Sequence, residues 1–222
     1  MRRVTENATP LRIDVVSDVV CPWCFIGKRR LEKAVALTPD VPIEVYYHPY
    51  FLNDWIPHEG ISREDYLTKK FGSVDAYRPM ATRVAEAAAQ EGLTYAVDKI
   101  ARQPNTLDSH RLIHWAGLQG KGPEMKQRLM DLYFTEGADL TDREVLVRAA
   151  AAVGLDADAV RAKLATEDDV RETTQAVDAA KEAGINGVPT FIVDGRYAVS
   201  GAQPPETLAD VIRKAAAESE AA

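Results

Sequence analysis

The sequence predicts an α/β fold in which a βαβ unit and a C-terminal β-hairpin with its helix are separated by a long helical block. Three observations predict it: β-rich runs near both ends of the 222-residue chain, helical periodicity between them, and two cysteines where the first strand passes into the first helix. The chain is long enough to bury a substantial core, either as one large domain or as a domain with an insertion.

The first fifty residues carry the βαβ unit. The run 11–16, LRIDVV, follows Pro10, alternates apolar with polar residues and ends in an apolar stretch, which predicts a strand. After the cysteines, apolar residues recur at helical spacing until Pro39 interrupts them. The run 43–47, IEVYY, is again β-rich, so a second strand parallel to the first is expected.

From about Ser62 to Ala183 one predicted helix follows another, and the pattern contains no credible strand. Three pairs of residues are typical of N-terminal caps with an acidic side chain in the first turn: Ser62 with Asp65, Asn105 with Asp108, and Thr141 with Glu144. We therefore predict a helical insertion domain, 61–183, within a discontinuous domain made of 11–60 and 184–217.

Strand character returns near the C-terminus. The runs 189–193, PTFIV, and 196–200, RYAVS, flank Asp194 and Gly195, a step that favours a hairpin turn. Pro204 and Pro205 stand where a last helix can begin.

Composition excludes several classes of function. The net charge of −7, with both signs interspersed, argues against a nucleic-acid partner. No stretch approaches the roughly 20 apolar residues of a membrane span, and the first ten residues lack the apolar run of a signal peptide. We expect a cytoplasmic protein without a membrane partner, in a compartment where disulfides tend to be transient and catalytic. The sequence leaves a homodimer open.

The only cysteines, Cys21 and Cys24, are separated by two residues in the stretch VCPWCFIGK. Between a strand and a helix they project toward the helix N-terminus, where unpaired N–H groups and the macrodipole favour a thiolate. Pro22 fits the first turn of that helix. The pattern predicts a redox pair in which Cys21, with a pKa below the free value of about 8.5, is the nucleophile and Cys24 is the less exposed, resolving thiol.

Two other interpretations of the pair stay open at this point. A zinc site could add His110 and His114, which share a helical face, but the 85 residues between Cys24 and His110 far exceed the spacing of compact fingers. The cysteines could also be buried without chemistry. Asp18 could relay a proton, although we interpret it as a cap of the loop before the helix. Pro189, after Gly187 and Val188, is either a cis proline or an ordinary edge-strand proline.

Three stretches, SDVVCPWCFIGKRR, PNTLDSHRLIHWA and GVPTFIVDGRYAVSGAQP, together resemble the DsbA-like branch of the thioredoxin superfamily, most closely its FrnE-type cytoplasmic oxidoreductases. The resemblance covers about 11–217. It implies a thioredoxin fold (βαβ plus C-terminal hairpin and helix) interrupted by an α-helical insertion domain, and catalysis by Cys21 and Cys24. It also implies substrate binding by Pro22, Trp23, Val188 and Pro189, with Val188-Pro189 as the cis-proline loop.

The resemblance implies a thiol–disulfide oxidoreductase or isomerase that acts on disulfide-containing proteins or small thiols. No bound cofactor or metal is expected, and glutathione or another thiol could serve as co-substrate. The same architecture is similar to kappa glutathione transferases and 2-hydroxychromene-2-carboxylate isomerases, in which a serine replaces the first cysteine. A glutathione-dependent transferase or isomerase is thus one alternative, and a non-catalytic, chaperone-like peptide-binding module is another.

Overall fold

The computed structural model describes residues 9–219. Its strands are β1 (Leu11–Ser17), β2 (Ile43–Pro49), β3 (Ile61–Ser62), β4 (Arg102–Gln103), β5 (Thr190–Val193) and β6 (Tyr197–Ser200). Its α-helices are α1 (Pro22–Ala36), α2 (Arg63–Phe71), α3 (Val74–Gln90), α4 (Leu107–Gly117), α5 (Gly122–Asp131), α6 (Arg143–Ala152), α7 (Ala157–Leu164), α8 (Val170–Glu182) and α9 (Pro205–Ser219). A 3₁₀ turn at Val97–Lys99 and a π-helix at Leu132–Glu136 complete the elements.

A four-stranded sheet in the order β2-β1-β5-β6 joins the two ends of the chain. Strand β1 runs parallel to β2, with Leu11 opposite Ile43, and antiparallel to β5, with Val16 opposite Thr190. The end of β1 therefore lies beside the beginning of β5. This register brings the residues that follow β1 close to the loop that precedes β5.

The sheet and two helices enclose one hydrophobic core. Ile13 and Phe191 from the strands pack with Leu31 of α1 and with Leu208 and Ile212 of α9, and all five side chains are buried. Each such side chain contributes about 1.5–3 kcal/mol of hydrophobic free energy when it is removed from water. This core fixes α1, and with it the two cysteines, against the sheet.

A second core lies within the helical block and reaches α1. Phe25 stacks on Phe134 of the π-helix, with ring centroids 5.2 Å apart, and Met125 and Leu129 of α5 belong to the same buried cluster. The cluster also contains Cys24. The helical block is therefore packed directly behind the cysteine pair.

The predicted α/β fold with a helical insertion is confirmed, while the domain boundaries stay a prediction. The absence of strands between 61 and 183 was wrong, because β3 pairs with β4 in a two-residue antiparallel ladder. Among the predicted caps, Ser62 accepts a hydrogen bond from the Asp65 N–H as expected.

The other two predicted caps are displaced by one residue. Helix α6 is capped by Asp142, whose carboxylate accepts from the Glu144 N–H, instead of by Thr141. Thr106 precedes α4, although Asn105 still accepts a hydrogen bond from the Leu107 N–H. Short polar neighbours compete for the same cap position, which the sequence alone does not resolve. No helix within residues 9–219 is both long and apolar enough to cross a membrane.

Candidate active site

Cys21 occupies the N-cap of α1, and Pro22 is the first helical residue, as the sequence predicts. The Cys21 carbonyl accepts hydrogen bonds from the N–H groups of Cys24 and Phe25, at 3.0 and 3.2 Å. One helical turn thus separates the two sulfur atoms. Both cysteines are free thiols and both are buried, with 3% of Cys21 and 2% of Cys24 exposed. The predicted difference in their exposure is therefore very small.

The two thiols differ in acidity although both are buried. A hydrogen bond from the Cys24 thiol is the main cause that lowers the pKa of Cys21, against the opposing effect of burial, and the N–H groups of Cys24 and Trp23 act in the same direction. Burial raises the pKa of Cys24 well above its ordinary value, and the neighbouring Cys21 raises it further. Cys21 is consequently the thiol that ionises first, in agreement with the sequence prediction.

The loop before β5 lies against Cys21. The Cys21 thiol donates a hydrogen bond to the Val188 carbonyl, with sulfur and oxygen 3.6 Å apart. The peptide bond between Val188 and Pro189 is cis. Pro189 is buried, and its carbonyl accepts a hydrogen bond from the Gly201 N–H at 2.7 Å. The sheet has thus joined two sequence motifs that stand 167 residues apart.

The residues between the cysteines form the rim of the site. Pro22 is half-buried, and Trp23 is 38% exposed. An exposed indole ring next to a thiol offers apolar contact area to an incoming molecule. Every residue that the sequence singled out for this site therefore lies at or next to the cysteine pair.

The interpretation of Asp18 as a loop cap was wrong. Its buried carboxylate accepts a hydrogen bond from the Leu52 N–H at 2.8 Å and lies 3.2 Å from Nε2 of His110, which is also buried. Burial alone would raise the pKa of Asp18, but the hydrogen bonds and the charges around it lower the pKa below its ordinary value. Burial lowers the pKa of His110. These directions indicate a carboxylate held by a neutral imidazole.

Two lysines near the thiols have no signal in the sequence. Lys126 of α5 is 1% exposed, and the charges of Cys24, Asp18 and Cys21 act on it through space. Lys70 of α2 donates a hydrogen bond to Asn53 Oδ1 at 2.5 Å, and the charge of Cys21 acts on it as well. Both lysines lie in helices of the insertion whose pattern predicts solvent-facing lysines, so only the fold reveals them.

The alternative zinc site does not match the geometry. His110 is hydrogen-bonded to Asp18, and its neighbour on the helical face, His114, lines a surface cleft between β2 and the helical block. Within residues 9–219, no group of three or more His, Cys, Asp or Glu side chains is arranged to hold a metal ion.

Comparison with known proteins shows which family this geometry belongs to. The family model described as "DSBA-like thioredoxin domain" matches residues 12–213. A probable DsbA oxidoreductase from Streptomyces coelicolor is 33% identical, with a TM-score of 0.86, and the match covers 94% of this chain and 91% of that one.

Two more distant structures share the fold. The cytosolic disulfide reductase DsbM from Pseudomonas aeruginosa, solved with GSH, is 20% identical, with a TM-score of 0.64 over 92% of this chain and 98% of that one. A 2-hydroxychromene-2-carboxylate isomerase is 15% identical, with a TM-score of 0.70 over 94% of this chain and 98% of that one.

Proposed function

This chain belongs to the DSBA-like thioredoxin domain family and is a disulfide oxidoreductase; on that premise we propose that Cys21 is its attacking thiol and Cys24 its resolving thiol. One observation carries the assignment. Cys21 stands at the N-cap of α1, with a lowered pKa and its sulfur 3.6 Å from the Val188 carbonyl, whereas the pKa of Cys24 is raised. At neutral pH the thiolate population is therefore greater at Cys21.

The exchange has two steps. The Cys21 thiolate attacks one sulfur of a substrate disulfide, forms a mixed disulfide and expels the other substrate sulfur as a thiolate. Cys24, after it loses its proton, attacks the Cys21 sulfur, which closes the Cys21–Cys24 disulfide and expels the second substrate thiolate. Both substrate sulfurs are reduced and both enzyme sulfurs are oxidised, so two electrons move. The reverse sequence oxidises a dithiol substrate.

The substrate is held, in this proposal, between the Val188-Pro189 loop and the exposed ring of Trp23. When a substrate sulfur replaces the thiol hydrogen, the Val188 carbonyl loses its donor and becomes free to accept an N–H from an extended peptide. We propose that small thiols such as glutathione bind at the same site, because the positive charge of Lys70 acts near Cys21 and can attract their carboxylates.

DsbM, which is cytosolic and was solved with GSH, supports both a glutathione-type co-substrate and a cytoplasmic location for this chain. A cytoplasmic glutathione pool near −220 to −320 mV, by different methods, keeps a couple more oxidising than about −200 mV mainly reduced. A couple whose thiolate is stabilised lies on the oxidising side. We infer that the resting enzyme is the dithiol and that disulfide reduction is its net direction.

The experiment uses two serine variants of the reduced protein, mixed with glutathione disulfide or with a disulfide-linked peptide. Cys24→Ser is expected to accumulate a mixed disulfide, detected as an adduct by intact-protein mass spectrometry, because the resolving thiol is missing. Cys21→Ser, the matched control, is expected to form none. An adduct on the Cys21→Ser protein, or none on Cys24→Ser, would reject the assignment of roles.

A glutathione-dependent isomerase or transferase remains the second candidate, and the fold shared with the 2-hydroxychromene-2-carboxylate isomerase favours it. In that class a serine stands at the position of Cys21. The Cys21→Ser variant separates the two activities: it abolishes disulfide exchange, whereas glutathione-dependent isomerisation of a chromene carboxylate would survive in it. A binding module without turnover would keep its peptide affinity in both variants.

A further inference from the structure

Lys126 is a buried cation without a visible partner. Its side chain is 1% exposed, and its ammonium nitrogen has no hydrogen-bond partner among residues 9–219. The centroid of the Tyr47 ring lies 5.9 Å from Nζ. An unpaired buried ammonium is expensive, and lysine is almost never fully buried without a partner. Because burying this ammonium lowers the stability of the fold, we look for a functional role of Lys126.

The surroundings of Lys126 connect it with the cysteine pair. Helix α5 packs on β2, and Met125 and Leu129, on either side of Lys126, belong to the same buried cluster as Cys24. The ionisable groups that face Lys126 come from β1 and its following loop, α1, β2 and α4: Asp18, Cys21, Cys24, Lys28, Tyr47 and His110. Cys24 has the largest electrostatic effect among them.

Few of these neighbouring groups can accept the proton that Cys24 loses. The Asp18 carboxylate already accepts hydrogen bonds from Leu52 and His110, and its pKa is lowered, which makes it a weak base. Burial, in contrast, lowers the pKa of Lys126 to about 8, so part of the population is a neutral amine near neutral pH. A neutral amine with an unused lone pair is a competent base.

Resting on the exchange chemistry proposed above, we propose that Lys126 accepts the proton of Cys24 in the resolving step. Starting from the mixed disulfide on Cys21, the neutral Lys126 amine takes the Cys24 proton through one bridging water, because Nζ is not within hydrogen-bond distance of the thiol. Lys126 becomes an ammonium, and Cys24 becomes a thiolate. The thiolate attacks the Cys21 sulfur, the Cys21–Cys24 disulfide forms, and the substrate leaves as a thiolate. In the reverse direction, the ammonium returns the proton to Cys24 as it leaves.

The same arrangement resets itself after each turnover. Once the disulfide has formed, no thiolate remains beside Lys126, and burial again disfavours its charge. The ammonium then releases its proton to solvent or to the departing substrate thiolate. The helical block would thus supply a working part of the reaction centre, in addition to enclosing it.

The test separates the two steps in the full-length reduced protein. The probe is a symmetrical nitrobenzoate disulfide whose thiolate product is coloured, so that attack by Cys21 releases one thiolate and resolution by Cys24 releases the second. In Lys126→Met we expect the first phase within about twofold of wild type and the second slowed by about 100-fold at pH 7, the lower range for a lost general base.

The pH profile of the second phase gives a readout that a structural role would not change. For wild type, the rate should rise with a midpoint near the Lys126 pKa of about 8. For Lys126→Met, the midpoint should move by more than one pH unit, toward the raised pKa of Cys24. An unchanged midpoint and rate in Lys126→Met would overturn the proposal while leaving the proposed function intact. If the wild-type protein shows no first phase, both the proposed function and the role of Lys126 are rejected.

Stability provides the control. Replacing an unpaired buried charge by an apolar side chain of similar length is often neutral or stabilising, so the urea midpoint of Lys126→Met should equal or exceed that of wild type. Met125→Leu, a buried apolar change on the same helix, should leave both phases unaltered. If Lys126→Met does not fold, the wild-type profile decides: a second-phase midpoint above pH 9 contradicts proton transfer to Lys126.

Discussion

Gly27 lies where α1 meets the loop before β5, and its replacement by alanine tests how closely these two segments are packed. A Cβ atom added to Gly27 would lie 2.8 Å from Cγ of Pro189 and 3.2 Å from Cζ of Phe191. Carbon atoms in contact are normally about 3.5–4.0 Å apart. The new methyl group therefore forces α1 or the loop to move by several tenths of an ångström or more.

Two effects of opposite sign determine the result. Alanine is favoured over glycine in a helix interior by about 1 kcal/mol. Overpacking a core typically costs about 1–3 kcal/mol. Pro189 cannot yield easily, because it is buried and its carbonyl is hydrogen-bonded to the Gly201 N–H. We expect overpacking to prevail, so that Gly27→Ala lowers the free energy of unfolding by about 1 kcal/mol.

Urea unfolding of the reduced protein measures this change, and Gly117→Ala is the matched control. Gly117 ends α4, and an added Cβ there would meet no atom within 4 Å. Helix propensity then acts alone, with a gain of up to about 1 kcal/mol. The two midpoints should move in opposite directions. Equal stabilisation by both substitutions would refute the close packing of α1 against Pro189.

Two further predictions concern the charges around the cysteine pair. Alkylation of the native reduced protein by iodoacetamide, followed by peptide mapping, should modify Cys21 at a lower pH than Cys24, because the pKa of Cys21 is lowered and that of Cys24 is raised. Equal modification of the two cysteines at every pH would contradict this assignment. His110→Ala leaves the buried Asp18 carboxylate with the Leu52 N–H as its remaining donor, so urea unfolding should show a loss of about 1–3 kcal/mol. Adding Asp18→Asn should recover part of that loss, and no recovery would show that the charge is not its cause.

The sequence predicts the elements of the sheet and much less of the helical block's detail. The alternation in 11–16 and the β-rich run 43–47 predict β1 and β2 to within two residues at their ends. Alternation of apolar and polar residues predicts these two strands because each has one face packed in the hydrophobic core and the other turned away from it. Strands β3 and β4 have two residues each, which is too short for any period to be visible.

The candidate site also contains some residues that the sequence predicts and others that only the fold reveals. Cys21 and Cys24 can be recognised because they belong to a local motif with its own backbone requirement, and Pro189 can be recognised through the resemblance to the DsbA-like family. The hydrogen-bond partners of Asp18 and the burial of Lys126 cannot be predicted, because both depend on residues that other elements bring to them. Lys126 stands beside Met125 in an amphipathic stretch, where a lysine normally faces solvent, and only the packing of α5 on β2 shows that it is buried.

The position of β1 in the middle of the sheet has a consequence for synthesis. Its pairing with β2 requires only the first fifty residues, but its pairing with β5 must wait for 190–193. A nascent chain emerges from its N-terminus, so both thiols leave the ribosome long before the Val188 carbonyl. Until then, the edge of β1 that β5 later covers is unpaired, and an unpaired strand edge can pair with other chains. Pairing of β5 with β1 covers that edge and brings the Val188 carbonyl to Cys21.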